Sequence, residues 1–253
     1  MKSYFFNQSN VYTKFKACIY YISILISALS CSYSMAANVN DKVSSIIPLE
    51  INPAEGLIYF NKALNYDFSG DHVSARKIYD KLKNSQFSEE ISVPSAVNLV
   101  ALNRYDEAER EFIKLLSSKD ESVRSYAKVW ILWISARMSN HSHEAFSKRF
   151  KKIVKVNDFS NEYQLEIFNT YIKNEGFDNV FKEIKEMENT NEIERRNAYT
   201  EAAFFIGGYY RYLKDDPSMA LKIYKDQLDK LYERSLEWHL IKKEIAELEL
   251  INN

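Results

Sequence analysis

The chain has 253 residues, of which 27% are charged and 46% are hydrophobic, so it is long enough to bury a sizeable core as one domain. It has only 5 Gly and 4 Pro, too few for the turns of a many-stranded sandwich or barrel, and the prediction is an all-α fold. The formal net charge of −1 excludes the electrostatic footprint of a nucleic-acid-binding protein.

The first 36 residues have the composition of a secretory leader. Three lysines and no acidic residue precede an apolar run over 17–29, which is shorter than the roughly 20 residues that a membrane-spanning helix needs. Small residues follow this run, and the pattern predicts a signal peptide over 1–36 that is cleaved between Ala36 and Ala37. The alternative is a retained N-terminal anchor, which the serines within the apolar run disfavour.

Both cysteines, Cys18 and Cys31, lie within this leader, so a chain that begins at Ala37 can form no disulfide. Removal of the leader leaves 31 basic and 35 acidic residues, a net charge of −4. An exported chain without disulfides fits the bacterial periplasm better than a eukaryotic secretory route, because small secreted eukaryotic domains usually carry disulfides. Cys31 is also the candidate lipid-bearing residue of an outer-membrane lipoprotein, but Leu29 is one place out of register for that. The prediction is a soluble periplasmic protein that associates with a membrane only if Cys31 is lipidated.

Two amphipathic helices are predicted at the start of the mature domain. Residues 37–52 are short and polar and are predicted to form an extended arm, and 53–253 are predicted to form one helical domain. Gly70 tolerates left-handed geometry and Asp71 can cap a helix, so they predict a tight turn between the two helices. The apolar positions at helical spacing are Leu57, Tyr59, Phe60, Ala63, Leu64 and Tyr66, then Val73, Ala75, Ile78, Tyr79 and Leu82.

This helix pair repeats after 33 residues, an offset that aligns Ala75 with Ala108 and Tyr79 with Phe112. This arrangement resembles tetratricopeptide repeats, in which paired helices recur at about 34 residues. Small residues lie where the two helices approach, and an aromatic residue follows four places later. A third such unit lies near the C-terminus. The resemblance implies a solenoid of helical hairpins. The predicted repeat-packing residues are Ala63, Ala75, Tyr79, Ala96, Ala108, Phe112, Gly207, Ala220 and Tyr224.

The centre of the chain departs from the repeat pattern, because its small residues are not at repeat spacing. It is therefore predicted to consist of degenerate helical hairpins. Further on, Asp216 and Pro217 predict the start of a helix, and a last helix is expected to begin at Leu228 or Arg234 and to close the stack. The central helices are predicted over 122–138, 142–156, 162–174 and 179–188.

The order of these elements resembles the NlpI family of periplasmic tetratricopeptide lipoproteins. An export signal is followed by two repeats, a degenerate centre, a further repeat and a terminal helix. The most similar stretch is 198–250, with weaker agreement over 123–133. The resemblance implies a dimeric adaptor at the cell envelope that brings a processing protease to peptidoglycan hydrolases. The register at Cys31 leaves tethering to the outer membrane open, and the partners need not be the same.

The sequence offers few residues for chemistry. His141 and His143 are the histidines close enough to share a metal ion, but a catalytic zinc site needs a third ligand at a definable spacing. Gly207 and Gly208 lie in an apolar helical pattern with no preceding strand, so close helix packing explains them better than nucleotide binding. The prediction is a protein that is not an enzyme and that holds no cofactor or metal. The alternative is a hydrolase built on His141 and His143.

Aromatic residues make up 14% of the chain, and Tyr126, Trp130 and Trp133 are predicted to form a core stripe of the central helix. By analogy with other tetratricopeptide stacks, the first helix of each pair lines a groove that accepts a peptide. The alternative is that the same residues pack against a neighbouring helix or a dimer mate. The predicted groove residues are Leu57, Phe60, Leu64, Asp67, Val93, Val97, Val100, Phe204 and Arg211.

The function predicted from these patterns is that of a periplasmic adaptor that holds envelope proteins together. Its expected partners are other periplasmic or envelope proteins and a second copy of the chain, and no nucleic acid. The alternative is an accessory or chaperone-like factor of a secretion, pilus or conjugation system, for which the Asn- and Lys-rich composition is the hint.

Overall fold

The computed structural model describes residues 51–153, 159–174 and 176–251. The predicted signal peptide, its cleavage position at Ala36 and Ala37, both cysteines and all but the last two residues of the predicted arm lie outside these ranges. Within them the secondary structure is helical without a strand, so the all-α prediction is confirmed. The helices are α1 (Pro53–Phe68), α2 (His72–Leu82), α3 (Ser92–Ala101), α4 (Tyr105–Leu115), α5 (Glu121–Arg137), α6 (His143–Ile153), α7 (Glu162–Lys173), α8 (Asp178–Glu186), α9 (Glu192–Tyr212), α10 (Pro217–Gln227) and α11 (Trp238–Ile251), with a 3-10 turn at Leu228–Lys230.

Local sequence determines where several of these helices begin and end. Gly70 has a φ of +83°, which gives the left-handed turn between α1 and α2. Asp71 and Asp216 each accept a hydrogen bond from the backbone N–H three residues later, and Pro217 is the first residue of α10. The predicted turn and the predicted helix start are therefore confirmed.

The central helices lie within two residues of their predicted positions, except that the helix predicted over 142–156 runs into 154–158, outside the described residues. The last helix differs. It begins at Trp238, later than either predicted start, after the 3-10 turn. The preceding residues form hydrogen bonds to other helices instead of a helical ladder, as the Tyr232 N–H does when it donates to the Thr200 Oγ1 at 2.7 Å.

Consecutive helices pack as antiparallel neighbours: α1 with α2, α3 with α4, α7 with α8, and α9 with α10. Helix α5 packs against α4, α6 and α7, and also against α9, which is distant in sequence. Helix α9 in turn contacts α7, α8, α10 and α11. These two helices therefore form the centre of the fold. None of the described helices is both long and apolar enough to cross a membrane.

The predicted repeat-packing positions are all buried. In the second helix of three pairs a fully buried alanine is followed, four residues later, by a fully buried aromatic ring. At Gly207 an added Cβ would lie 2.3 Å from the Tyr224 ring, so a side chain on α9 would exclude α10. The matching pairs are Ala75 with Tyr79, Ala108 with Phe112, and Ala220 with Tyr224, and Ala63 and Ala96 are fully buried in the first helices.

Buried apolar side chains form two clusters. The smaller belongs to the first hairpin, α1 and α2, and includes Phe60 and Tyr79. The larger spans the remaining helices around Trp130 and Trp133 of α5, which confirms that both belong to the core. The side chain of Leu236 packs against both clusters. The residues just before α11 therefore join the first hairpin to the rest of the domain.

Candidate functional site

The C-terminal segment, residues 231–251, packs against α10 and α9 and also reaches α5 and the first hairpin. Its helix α11 is amphipathic, with Leu240, Ile241 and Leu248 buried against the domain and Leu250 and Ile251 exposed. The surface that receives the segment is called the docking surface here. It includes the face of α10 that packs on α11, with Lys225 paired to Glu249. Its other polar contacts are made by Phe68, Asn103, Tyr126, Thr200, Arg211 and Tyr212.

The part of the segment before α11 crosses α9 and α5. The guanidinium of Arg196 donates to the Leu231 carbonyl oxygen, and the hydroxyls of Tyr126 and Ser235 both donate to the Glu237 carboxylate. Burial raises the pKa of this carboxyl, and the two hydroxyl donors lower it in part. Glu237 is therefore a buried acid whose oxygens are held by hydroxyl groups from α5 and from its own segment.

The middle of α11 carries two acids that meet one arginine of α9. Arg211 donates through Nη1 to the Glu244 Oε2 at 2.6 Å and through Nη2 to the Glu247 Oε2 at 2.9 Å. The Tyr212 hydroxyl donates to the second oxygen of Glu244, also at 2.6 Å. Burial and this carboxylate raise the pKa of Tyr212, so its hydroxyl remains a donor. These charge-assisted bonds set the position of α11 along α9.

A buried polar cluster lies where the segment reaches the first hairpin. The Asp67 Oδ1 accepts a hydrogen bond from the Asn98 amide at 2.7 Å and lies 2.9 Å from the His72 Nδ1. The His239 ring of α11 is 6.2 Å from the His72 ring, and its Nε2 contacts the Phe68 carbonyl oxygen. Burial lowers the pKa of His239. The cluster borders a cavity of about 10 Å³, room for about one water molecule.

The structure places the predicted groove residues in different surroundings. Asp67 and Val97 line the small cavity together with the C-terminal segment, and Arg211 is paired to that segment. Phe204 lies in the aromatic core, with its ring 5.1 Å from those of Trp130 and Trp133. Leu57 is the well-exposed member, with 42% of its surface accessible. The others, Phe60, Leu64, Val93 and Val100, are buried.

Most of the predicted groove is thus covered by the chain itself, and binding of a partner there stays a prediction. Sequence reasoning did not find that the C-terminal segment covers this surface. A signal for it was present, because Glu244 falls on the same helical face as Leu240, Ile241 and Leu248. Acids within the buried stripe of a helix indicate that basic or hydroxyl groups face them.

The two histidines of the hydrolase alternative are exposed. The His141 Nδ1 lies 3.4 Å from the Asp215 Oδ1, and His143 begins α6. Among the described residues, no three His, Cys, Asp or Glu side chains are grouped so that they could hold a metal ion.

No protein-family model matches the chain, and no curated protein is significantly similar to it.

Proposed function

We propose that the protein is a non-catalytic adaptor of the tetratricopeptide type, exported to the periplasm, that holds envelope proteins together. The observation that carries the proposal is the recurrence of one packing unit: three helix pairs bury an alanine and an aromatic ring at equivalent places. Stacked units of this kind expose one extended surface, and such surfaces bind other proteins.

An apolar site for a partner is proposed on α1. Leu57, one of the predicted groove residues, is 42% exposed, and the adjacent Ile58 is 65% exposed. Two large aliphatic side chains next to each other on a helix surface give a partner protein apolar area to bury. The proposal therefore places the first partner contact at Leu57 and Ile58, beside the part of the groove that the chain covers.

The resemblance to the NlpI family supports a specific pair of partners, a processing protease and a peptidoglycan hydrolase. The second candidate is an accessory factor of a secretion, pilus or conjugation system. The Asn- and Lys-rich composition favours this candidate. Both candidates use the same fold, and they differ in the proteins that bind to it.

Affinity capture from the protein's own host tests the adaptor proposal. The tagged protein is cross-linked in cells and its partners are quantified by mass spectrometry beside the double variant Leu57→Glu with Ile58→Glu. The matched control places the same charges at two other exposed isoleucines, Ile172→Glu with Ile193→Glu. We expect the first variant to lose its main partners at least tenfold and the control to retain them.

The identity of the captured proteins separates the candidates. A protease together with a peptidoglycan hydrolase favours the envelope adaptor, and secretion or pilus components favour the accessory factor. Equal capture by both variants would contradict a partner site on α1. Function in the host should also survive His141→Ala with His143→Ala, and a complete loss with an unchanged melting curve would favour the hydrolase.

Export is tested by the mass of the protein recovered from the periplasmic fraction. We expect an N-terminus at Ala37, as the predicted cleavage requires. Recovery of the chain with its first 36 residues in the cytoplasmic fraction would contradict export.

A further inference from the structure

One arginine at the end of α5 lacks the kind of acceptor that comparable arginines have. The side chain of Arg137 is partly buried, and its hydrogen bond within the described residues runs from Nε to the Tyr105 hydroxyl at 3.3 Å. The N–H donors of its two terminal nitrogens have no acceptor there. The other partly or fully buried arginines that the structure describes each donate to a carboxylate or to a backbone carbonyl oxygen. They are Arg76, Arg124, Arg149, Arg195, Arg196 and Arg211.

Two aromatic rings hold this guanidinium in position. The Arg137 Cζ lies over the Tyr212 ring at 4.4 Å from its centroid and over the Tyr105 ring at 5.1 Å. Both rings also contact the buried Trp133 ring of α5, with centroid distances of 5.4 Å and 6.1 Å. A guanidinium is attracted to aromatic faces, and a side chain that is already ordered loses little entropy when it binds a ligand. Arg137 is therefore a preorganised cation.

A second cation is linked to Arg137 through neutral groups. The Tyr105 hydroxyl donates to the Asn103 Oδ1 at 2.8 Å, and the Lys243 Nζ of α11 donates to the same oxygen, also at 2.8 Å. The series of hydrogen bonds from Arg137 to Lys243 thus passes through a hydroxyl and an amide oxygen and contains no carboxylate. Two positive charges held near each other repel, and an anion that contacts both of them removes that repulsion.

The acids that neighbour Tyr105 and Lys243 in the sequence are paired with other arginines. Glu244 and Glu247 pair with Arg211, Glu107 pairs with Arg104, and Asp106 lies within reach of Arg149. Within the described residues, Arg137 and Lys243 therefore have neutral oxygens and no carboxylate as hydrogen-bond partners.

The turn before α4 also differs in charge from the equivalent turn of the first hairpin. The offset of 33 residues that aligns the helix pairs sets Asn103 against Gly70 and Arg104 against Asp71. Both turns are left-handed, with a φ of +59° at Asn103 and of +83° at Gly70. The first turn ends on the capping carboxylate of Asp71, whereas the second ends on the guanidinium of Arg104. The second turn thus carries positive charge where the first carries negative charge.

We propose that Arg137 and Lys243 bind the carboxylate of an aspartate or glutamate side chain in a partner protein. The planar fork of Arg137 fits a carboxylate through two parallel hydrogen bonds, and Lys243 adds a point charge. The partly exposed Tyr105 ring beside them offers an aromatic face to the rest of the partner's segment. The proposal rests on the proposed adaptor function, because it names the chemistry of a partner that the adaptor holds. Its site lies on helices other than α1.

The test titrates the purified, isotope-labelled protein with small carboxylates and follows the Arg137 Nε–H signal by NMR. The probe is N-acetylglutamic acid α-amide, in which the side chain is the one carboxylate. The neutral control is the matching glutamine compound, which has the same shape and no charge. N-acetylglycine and inorganic phosphate are titrated separately, because they represent a chain terminus and a phosphate group.

We expect a saturable shift of the Arg137 signal with the glutamate probe and binding at least tenfold weaker with the glutamine compound. The absence of a saturable shift would overturn the proposal. So would tighter binding of N-acetylglycine or of phosphate, because the preferred ligand would then be a chain terminus or a phosphate group. This measurement uses the unaltered protein, so it does not depend on the folding of a variant.

Variants at the two cations give a second measurement with the same probe. We expect Arg137→Gln to weaken binding at least tenfold and Lys243→Gln to weaken it by about threefold, because an exposed charge contributes less than an ordered fork. The matched control is Arg110→Gln, at an exposed arginine of α4, which should bind as the unaltered protein does. Equal binding by Arg137→Gln and the control would overturn the proposal. Neither measurement needs a host partner, so its failure is distinct from a failure of the capture experiment.

Discussion

The first hairpin and the central pair of helices, α5 and α9, are stabilised in different ways. In the hairpin, buried residues recur at intervals along α1 and α2, and the other positions are partly or fully exposed. In the central pair, burial is continuous: every residue from 127 to 136 in α5 and from 198 to 209 in α9 is buried. The hairpin is thus an amphipathic unit packed on one side, whereas the central helices are surrounded.

The two regions are also joined to their neighbours differently. The first hairpin meets the next one through polar groups, with Arg76 donating to the Ser95 backbone and hydroxyl and with Asn98 donating to Asp67. The central helices meet through stacked rings, as where the Trp133 ring of α5 lies 5.1 Å from the Phe204 ring of α9. We therefore expect the central pair to carry most of the stability and the attachment of the hairpin to depend on a few directional contacts.

The largest expected effect is in the central pair. Trp130→Ala removes a fully buried ring that contacts α4 and α9, and we expect the free energy of unfolding to fall by about 3–5 kcal/mol. Urea unfolding measures this loss, and Trp238→Ala, at a partly buried ring of α11, should cost less. A loss below about 1 kcal/mol would show that α5 is not the centre of the fold.

The next largest effect is expected at the polar contact between the first hairpin and α3. Arg76→Ala removes a buried guanidinium from Ser95, and we expect a loss of about 1.5–3 kcal/mol, since hydrogen bonds to charged groups are among the stronger ones. Hydrogen exchange should then accelerate in α1 and α2 more than in α5 and α9. The control is Arg110→Ala at an exposed position. Equal acceleration of exchange in all helices would contradict the idea that this contact stabilises the first hairpin in particular.

Overpacking within the hairpin tests the repeat alignment. Ala75 has no exposed surface, and Ala75→Leu is expected to cost about 1–3 kcal/mol by forcing the two helices apart. Ala145→Leu, at an exposed position of α6, should leave the melting temperature nearly unchanged. If Ala75→Leu melted as the unaltered protein does, the close approach of α1 and α2 would not be needed.

The smallest effect is a dependence on pH at the contact between the hairpin and α11. Burial and the nearby charges of His72 and Lys242 lower the pKa of His239, so protonation favours the unfolded chain. Stability from this residue is therefore complete above its ordinary pKa of 6.5 and is lost as the pH falls below that value. Melting at about pH 7.5 and about pH 5.5 should differ more for the unaltered protein than for His239→Gln. An equal difference would exclude His239 as the cause.

Much of the fold could be predicted because its signals are local. The turn at Gly70 and the helix caps at Asp71 and Asp216 each depend on one to three residues. The amphipathic pattern of α1 and α2 arises because each helix is buried on one side. In α5 and α9 the amphipathic period is absent, because these helices are buried on all sides. The positions of the two helices could therefore be predicted from the sequence, but the helices that they contact could not.

The candidate site was harder to predict, because it depends on a contact between residues distant in sequence. Arg211 was expected to line a groove; in the structure it is paired to Glu244 of the C-terminal segment, and binding of a partner there stays a prediction. Its partners Glu244 and Glu247 lie more than 30 residues further along the chain, and no local pattern pairs them. Hydrogen bonds of this kind are set by how helices pack, which local periodicity does not encode.

The sequence by itself determined the all-α class, the places where most helices begin and end, and the small and aromatic residues buried in three helix pairs. Each of these depends on backbone preferences and on burial within one helix or one hairpin. Only the tertiary structure decided that α5 packs against α9 and that the C-terminal segment packs on α10 and α9 and reaches α5. The physical reason is that these contacts lower the free energy only after distant elements have formed and come together, so no short stretch of sequence specifies them.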